Sequence, residues 1–191
     1  ADFPAAGSQA YLNTPYIGPI PRPVEQAGID FVRSKAENPI SLGAMLEKGN
    51  EARKKFGELF GAAPHEIGFL FATSEGENLV TSALDLRPGD NVVLCAELEH
   101  PNNVLPWLHL RRLGVEMRVV APVDGAIDTE AIVSAIDPRT RVVTCSSVTF
   151  APGLRADLEP IGAACRRADV LFLVDAVQSA GILALDVVRD Q

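Results

Sequence analysis

The chain has 191 residues, is 47% hydrophobic and carries a formal net charge of −8, which supplies apolar material for one sizeable core and the wrong sign for nucleic acid. Its apolar runs are no longer than a strand, so no membrane span is expected, and the N-terminus has neither the basic nor the apolar stretch of a secretory signal. Cys95, Cys145 and Cys165 are isolated, without metal-ligand spacing, and read as core thiols of a protein in the reducing cytoplasm.

Residues 1–23 are rich in Pro and Gly, cannot sustain a helix and read as an extended arm. Helical spacing follows over Val24–Ser34 and over Gly43–Phe60, the second ended by Gly61. From Ile67 the pattern changes to alternating short strands and helices. Strands are predicted at Ile67–Phe71, Asn91–Cys95, Val115–Val120, Arg141–Ser146 and Val170–Val174. Helices are predicted at Ser74–Leu84, Asn102–Leu113, Asp128–Ile136 (opened by Asp128 as its cap) and Asp157–Arg167. Such alternation predicts an α/β fold, a three-layer and mostly parallel sheet, with residues 24–191 as one large domain. The alternation stops near Leu185–Val188 without a terminal helix to cover a sheet edge, so the domain is expected to be incomplete at its C-terminus.

The chemistry concentrates at the carboxyl ends of the predicted strands, where open α/β sheets bind ligands. Val170–Val174 is an unbroken apolar run, read as a strand buried on both faces, and it leads straight into Asp175. A carboxylate there either caps a following helix or meets a cationic ligand atom. Thr73 and Ser74 lie where a strand gives way to a helix, a place suited to an anion, although Ser74 and Glu77 have the spacing of a capping box. His100, in Glu97–Trp107, can stack on a planar ligand or move a proton, or be a solvated loop histidine. In Ser146–Arg155, Thr149 offers a hydroxyl and Phe150 an aromatic wall, while Arg155 suits a surface charge as readily as an anion contact.

In this order, Ala72–Asn78, Glu99–Trp107, Phe150–Asp157 and Val174–Gly181 resemble the class V aminotransferase family of pyridoxal phosphate enzymes, and most nearly its isopenicillin N epimerase-like branch. The resemblance covers the whole chain but only the N-terminal portion of such proteins, and it implies a fold type I large domain. It also implies pyridoxal 5'-phosphate as cofactor. Thr73 and Ser74 would hold the phosphate, His100 would stack on the ring and serve as acid/base candidate, Asp175 would face the pyridine nitrogen, and Gln178 would reach the phenolic oxygen. Two departures stand out. Phe150 occupies a position where desulfurases carry Asn. The family's Schiff-base lysine falls beyond Gln191, and Lys35, Lys48, Lys54 and Lys55 all precede the first cofactor stretch.

The expected function is therefore pyridoxal phosphate chemistry on an amino acid or amine: transamination, epimerisation or C–S and other β-elimination. This chain would supply most of the cofactor cradle. The lysine and the small C-terminal domain would come from the remainder of the polypeptide or a second chain, and the assembly is expected to be a homodimer. A non-catalytic assembly module that keeps the fold is the alternative. A dinucleotide-binding oxidoreductase is disfavoured because no GxGxxG follows a strand.

Overall fold

Four short strands in one parallel sheet organise the computed structural model, which describes residues 2–7 and 9–189. Gln191, where the sequence reading ends the domain, lies outside them. The chain divides into two units, residues 1–54 and 55–191. The first holds a 3₁₀ turn at Pro4–Gly7, helix α1 (Arg22–Glu37) and most of α2 (Leu42–Phe60). The second holds the end of α2, α3 (Thr73–Ala83), β1 (Asn91–Leu94), α4 (Leu105–Leu110), β2 (Glu116–Val119), α5 (Thr129–Ser134), β3 (Thr140–Ser146), α6 (Leu158–Ala168) and β4 (Leu171–Asp175). No helix among the described residues is long and apolar enough to cross a membrane.

The sheet order is β2-β1-β3-β4, every pair parallel, and alternation along the strands sends side chains to two cores. Val92, Leu94 and Val142 face one side with Trp107 and Leu110 of α4. Val93, Val143 and Cys145 face the other with Ile132 of α5 and Ile161 and Cys165 of α6. Helices on both faces make the three layers that the alternating pattern predicts. The three cysteines are free and buried, as expected, and burial pushes each thiol up.

Local chemistry explains where elements start and stop. Asp128 caps α5, its carboxylate accepting from the Ala131 N–H at 3.0 Å. Gly61 ends α2 in the left-handed region at φ +71, which costs glycine nothing. One turn earlier the chain closes tightly: the Ala62 N–H donates to the Gly57 carbonyl at 2.9 Å, and a Cβ on Gly57 would lie 2.3 Å from the Ala62 carbonyl oxygen. Gly57→Ala gains about 1 kcal/mol in helix propensity but meets rigid backbone, an overpacking cost of about 1–3 kcal/mol that wins. A lower urea midpoint is expected, and an unchanged or raised one would contradict this account.

Two expectations need correction. Ile67–Phe71 does not join the sheet; Leu70 is half exposed and Phe71 fully exposed. An apolar run becomes a strand only where another strand offers it a ladder, and each pairing in the sheet is among β1–β4. Second, β4 is not buried on both faces. It is an edge strand among the described residues, with Leu171 43% exposed and the rest half-buried, although Phe172 and Val174 pack on one core and Leu173 on the other.

The two ends of the sheet differ in character. At the amino end, Asp137 accepts from the Arg139 N–H, from Asn91 Nδ2 and from Arg118 Nη1, which together hold its carboxyl well below the usual range. Positive charge and donors therefore close that end. The carboxyl ends of the strands carry Glu99 and Asp175, which accept hydrogen bonds but form no ion pair among the described residues.

Candidate functional site

The connection from β1 crosses α4 to β2 on one side, whereas β3 pairs with the other side of β1. The loops leaving β1 and β3 thus part towards opposite faces, α4 against one core and α6 against the other. Such a divergence at the strands' carboxyl ends is a topological switch, the place where open α/β sheets put a ligand. The stretches after β1, β3 and β4 singled out in the sequence leave the strands at this end.

The loop after β1 is anchored by a buried acid. Glu99 accepts from the Ser146 N–H at 2.7 Å, Ser146 Oγ at 2.5 Å and Asn103 Nδ2 at 2.9 Å. Asn103 Oδ1 in turn accepts from Thr144 Oγ1 at 2.6 Å and from Trp107 Nε1 at 3.5 Å. Burial pushes the Glu99 carboxyl up, and these donors oppose the rise. The network ties the loop to the end of β3 and so presents His100 at the rim, where it is exposed and set edge-on to Phe150 with centroids 5.3 Å apart.

Asp175 ends β4 opposite Ser146 and is half-buried. No helix follows it. Its Oδ1 accepts from the Val177 N–H at 2.9 Å, closing a turn that carries Gln178, and its backbone carbonyl accepts from Ser147. The capping alternative is thereby removed. Asp175 forms no ion pair with a cationic side chain among the described residues. Its Oδ2 instead accepts from Asn102 Nδ2 at 3.1 Å.

Thr73 and Ser74 are the first two residues of α3, exposed, with Ala72 in the cap position and no side chain capping its N–H groups. The capping box expected from Ser74 and Glu77 does not form. Ser74 lies inside the first turn, and Glu77 turns inward to accept from Asn102 Nδ2 at 2.7 Å. Glu75 reaches back to the Phe71 N–H at 2.8 Å. The Glu75 and Gly76 N–H groups donate to the Ala72 carbonyl at 3.1 and 3.3 Å, which leaves the Thr73 and Ser74 N–H groups and hydroxyls to face an anion. Thr149 differs from the others: it is buried, and its hydroxyl both accepts from and donates to the Leu154 backbone, so it holds its own loop in shape.

Sequence reasoning missed Glu77, Glu99, Asn102 and Asn103. The polar run Glu99–Asn103 at a strand end was a visible signal, but burial of Glu77 depends on α3 meeting that loop. Burial pushes Glu77 up to about 7; the Asn102 hydrogen bond opposes this, and the charges of Asp175 and Glu99 add to it. Between about pH 4.5 and 7 the unfolded chain ionises Glu77 while the folded chain keeps it protonated, so stability falls as pH rises through that window. Glu77→Gln removes this dependence. The stability of the variant relative to the parent should grow by about 1–3 kcal/mol from acid to mildly alkaline pH. Parallel stability profiles would refute this.

Acids without a cation among the described residues, a helix N-terminus and an imidazole beside an aromatic edge fit a planar ligand with an anionic tail and a cationic ring atom. The buried Glu77 Oε2, which has no hydrogen-bond partner, is further sign of a site shaped for something positive.

The class-V aminotransferase family model matches residues 18–190. A probable cysteine desulfurase of Methanothermobacter thermautotrophicus is 37% identical over 97% of this chain and 48% of its own length. Among solved structures, an apo cysteine desulfurase from Thermococcus onnurineus NA1 superposes with a TM-score of 0.88 at 28% identity, covering 98% of this chain and 49% of that one. A C-DES mutant with glycine covalently linked to its PLP cofactor gives 0.84 at 28% identity, covering 100% and 52%. The chain spans about half the length of the curated relatives it matches.

Proposed function

The chain belongs to the class-V aminotransferase family, and from that premise we propose that its strand ends form the cofactor cradle of a pyridoxal 5'-phosphate enzyme acting on an amino acid. The observation that carries the reading is Asp175, a half-buried carboxylate at the end of β4 with two donors but no cationic partner among the described residues.

In this reading Thr73 and Ser74 receive the phosphate with their hydroxyls and the N–H groups of α3. His100 covers one face of the ring, Gln178 reaches its phenolic oxygen, and Asp175 keeps a proton on its nitrogen. Bound pyridoxal phosphate supplies an electron sink for negative charge at the substrate Cα. Asp175 works by holding that proton, and the Glu99 network by keeping the His100 loop fixed to β3. His100 is exposed and so placed to exchange a proton with substrate or solvent. Thr149 contributes by shaping the loop that carries Phe150.

The names of the relatives favour cleavage of the cysteine C–S bond over transamination or epimerisation, and cysteine is the substrate we propose to test first. The lysine of the cofactor site and the groups that grip the substrate carboxylate belong, in this proposal, to the length of the relatives that this chain does not span. A homodimer and a cytoplasmic setting are part of the same proposal.

The test is equilibrium binding of pyridoxal 5'-phosphate to this chain, with sulfide, pyruvate and alanine release from cysteine measured on a protein that also carries the lysine-bearing remainder. Saturable uptake that Asp175→Ala weakens supports the reading. No uptake, or uptake indifferent to Asp175, refutes it and favours a non-catalytic assembly role.

A further inference from the structure

Glu77 is an acid that the cofactor roles above leave unused. It is 5% exposed, its Oε1 accepts from Asn102 Nδ2 at 2.7 Å, and its Oε2 is buried without a partner. The same amide nitrogen donates to Asp175 Oδ2 at 3.1 Å, and Asn102 Oδ1 meets His100 Nδ1. One side chain, Asn102, therefore joins a buried acid on α3, the acid that ends β4 and the imidazole of the β1 loop.

We propose that Asn102 and Glu77 are positioning residues for Asp175, an inference that rests on the cofactor reading. Asn102 sets the aim of the Asp175 carboxylate, and Glu77 adds a second negative charge behind it when a cationic ring is bound. The amide has two hydrogens, and both are used on carboxylates. That arrangement restrains Asp175 without neutralising it.

The charged groups facing Glu77 are Asp175 from β4 and Glu99 from the β1 loop, with His100 joined to it through Asn102; no Lys or Arg pairs with it among the described residues. Without a ligand, burial and two neighbouring acids keep a proton on Glu77 up to about pH 7. A cation at Asp175 favours loss of that proton to solvent. By reciprocity, an ionised Glu77 tightens binding of the cation.

The experiment compares affinity for pyridoxal 5'-phosphate in wild type, Glu77→Gln and Asn102→Ala, by equilibrium dialysis at about pH 5.5 and about pH 8.5, either side of the Glu77 transition. Gln keeps the acceptor for Asn102 but cannot ionise, and unfolding curves at each pH confirm that the variants are folded. Wild type and Glu77→Gln should bind equally at the acid pH, with wild type about fivefold tighter at the alkaline one. Asn102→Ala should bind about tenfold more weakly at both, with the visible band of the bound cofactor displaced. A Glu77→Gln protein that follows wild type at both pH values, or is weakened equally at both, overturns the role of Glu77. An unchanged band and affinity in Asn102→Ala overturns that of Asn102. A wild type that takes up no cofactor refutes the cofactor reading itself, a separate failure that this inference would share.

Discussion

In a protein that also carries the lysine-bearing remainder, Asp175→Asn is expected to lower turnover by about two to three orders of magnitude while leaving the protein folded. The substitution keeps the side chain's shape and its Oδ1, so the bond from the Val177 N–H, 2.9 Å in the parent, has an acceptor still. What it removes is charge. Leaving a buried cation without its counter-ion costs about 3–5 kcal/mol, and each factor of ten in rate corresponds to about 1.4 kcal/mol. The folding cost is far smaller. The new amide faces the donor Asn102 Nδ2, so one hydrogen bond of about 1 kcal/mol is lost at a half-buried position. Turnover and urea unfolding measured on the same preparation separate the two. Turnover within a few-fold of the parent would mean that Asp175 does not face a cation.

Trp107→Ala is expected to have the largest effect on stability. Trp107 is 1% exposed and heads the fully buried side chains by volume, lying on Val92, Leu94, Leu110, Val115 and Val142. Truncating a buried Trp costs about 3–5 kcal/mol, because the surrounding strands cannot collapse into the space. That is a large share of the roughly 5–15 kcal/mol by which domains are stable. The indole also donates to Asn103 Oδ1, but at 3.5 Å this bond is weak, and Asn103 keeps Thr144 as a donor at 2.6 Å. Denaturant unfolding with an unchanged m-value should show the loss as a lower midpoint. A loss under about 1 kcal/mol would mean that α4 does not pack as described.

These two residues mark what is legible in a linear chain. Val92, Leu94 and Val142 lie in apolar runs whose length and spacing announce strands, and α5 follows a cap at Asp128 that a reading of helix starts finds. The three layers follow from alternation, since each element has one or two apolar faces to bury. Asp175 was legible for a related reason: an acid that ends an apolar strand conflicts with its surroundings, and the conflict shows in the sequence. The resemblance of four spaced motifs pointed to the same residue and to Thr73, Ser74, His100 and Gln178.

Other features depend on groups distant in the chain. Composition confers strand-forming potential on Ile67–Phe71, but whether that run pairs depends on which edges lie beside it. Ser74 and Glu77 have capping-box spacing, but the approach of Asn102, 25 residues on, draws Glu77 inward and leaves Ser74 in the first turn. Thr149 carries a hydroxyl in any reading, yet only the folded loop shows it committed to Leu154. Local pattern therefore determined the elements, their order and one conspicuous acid. Which acids are buried together follows from the folded packing, because desolvation and charge coupling depend on distances that chain spacing does not set.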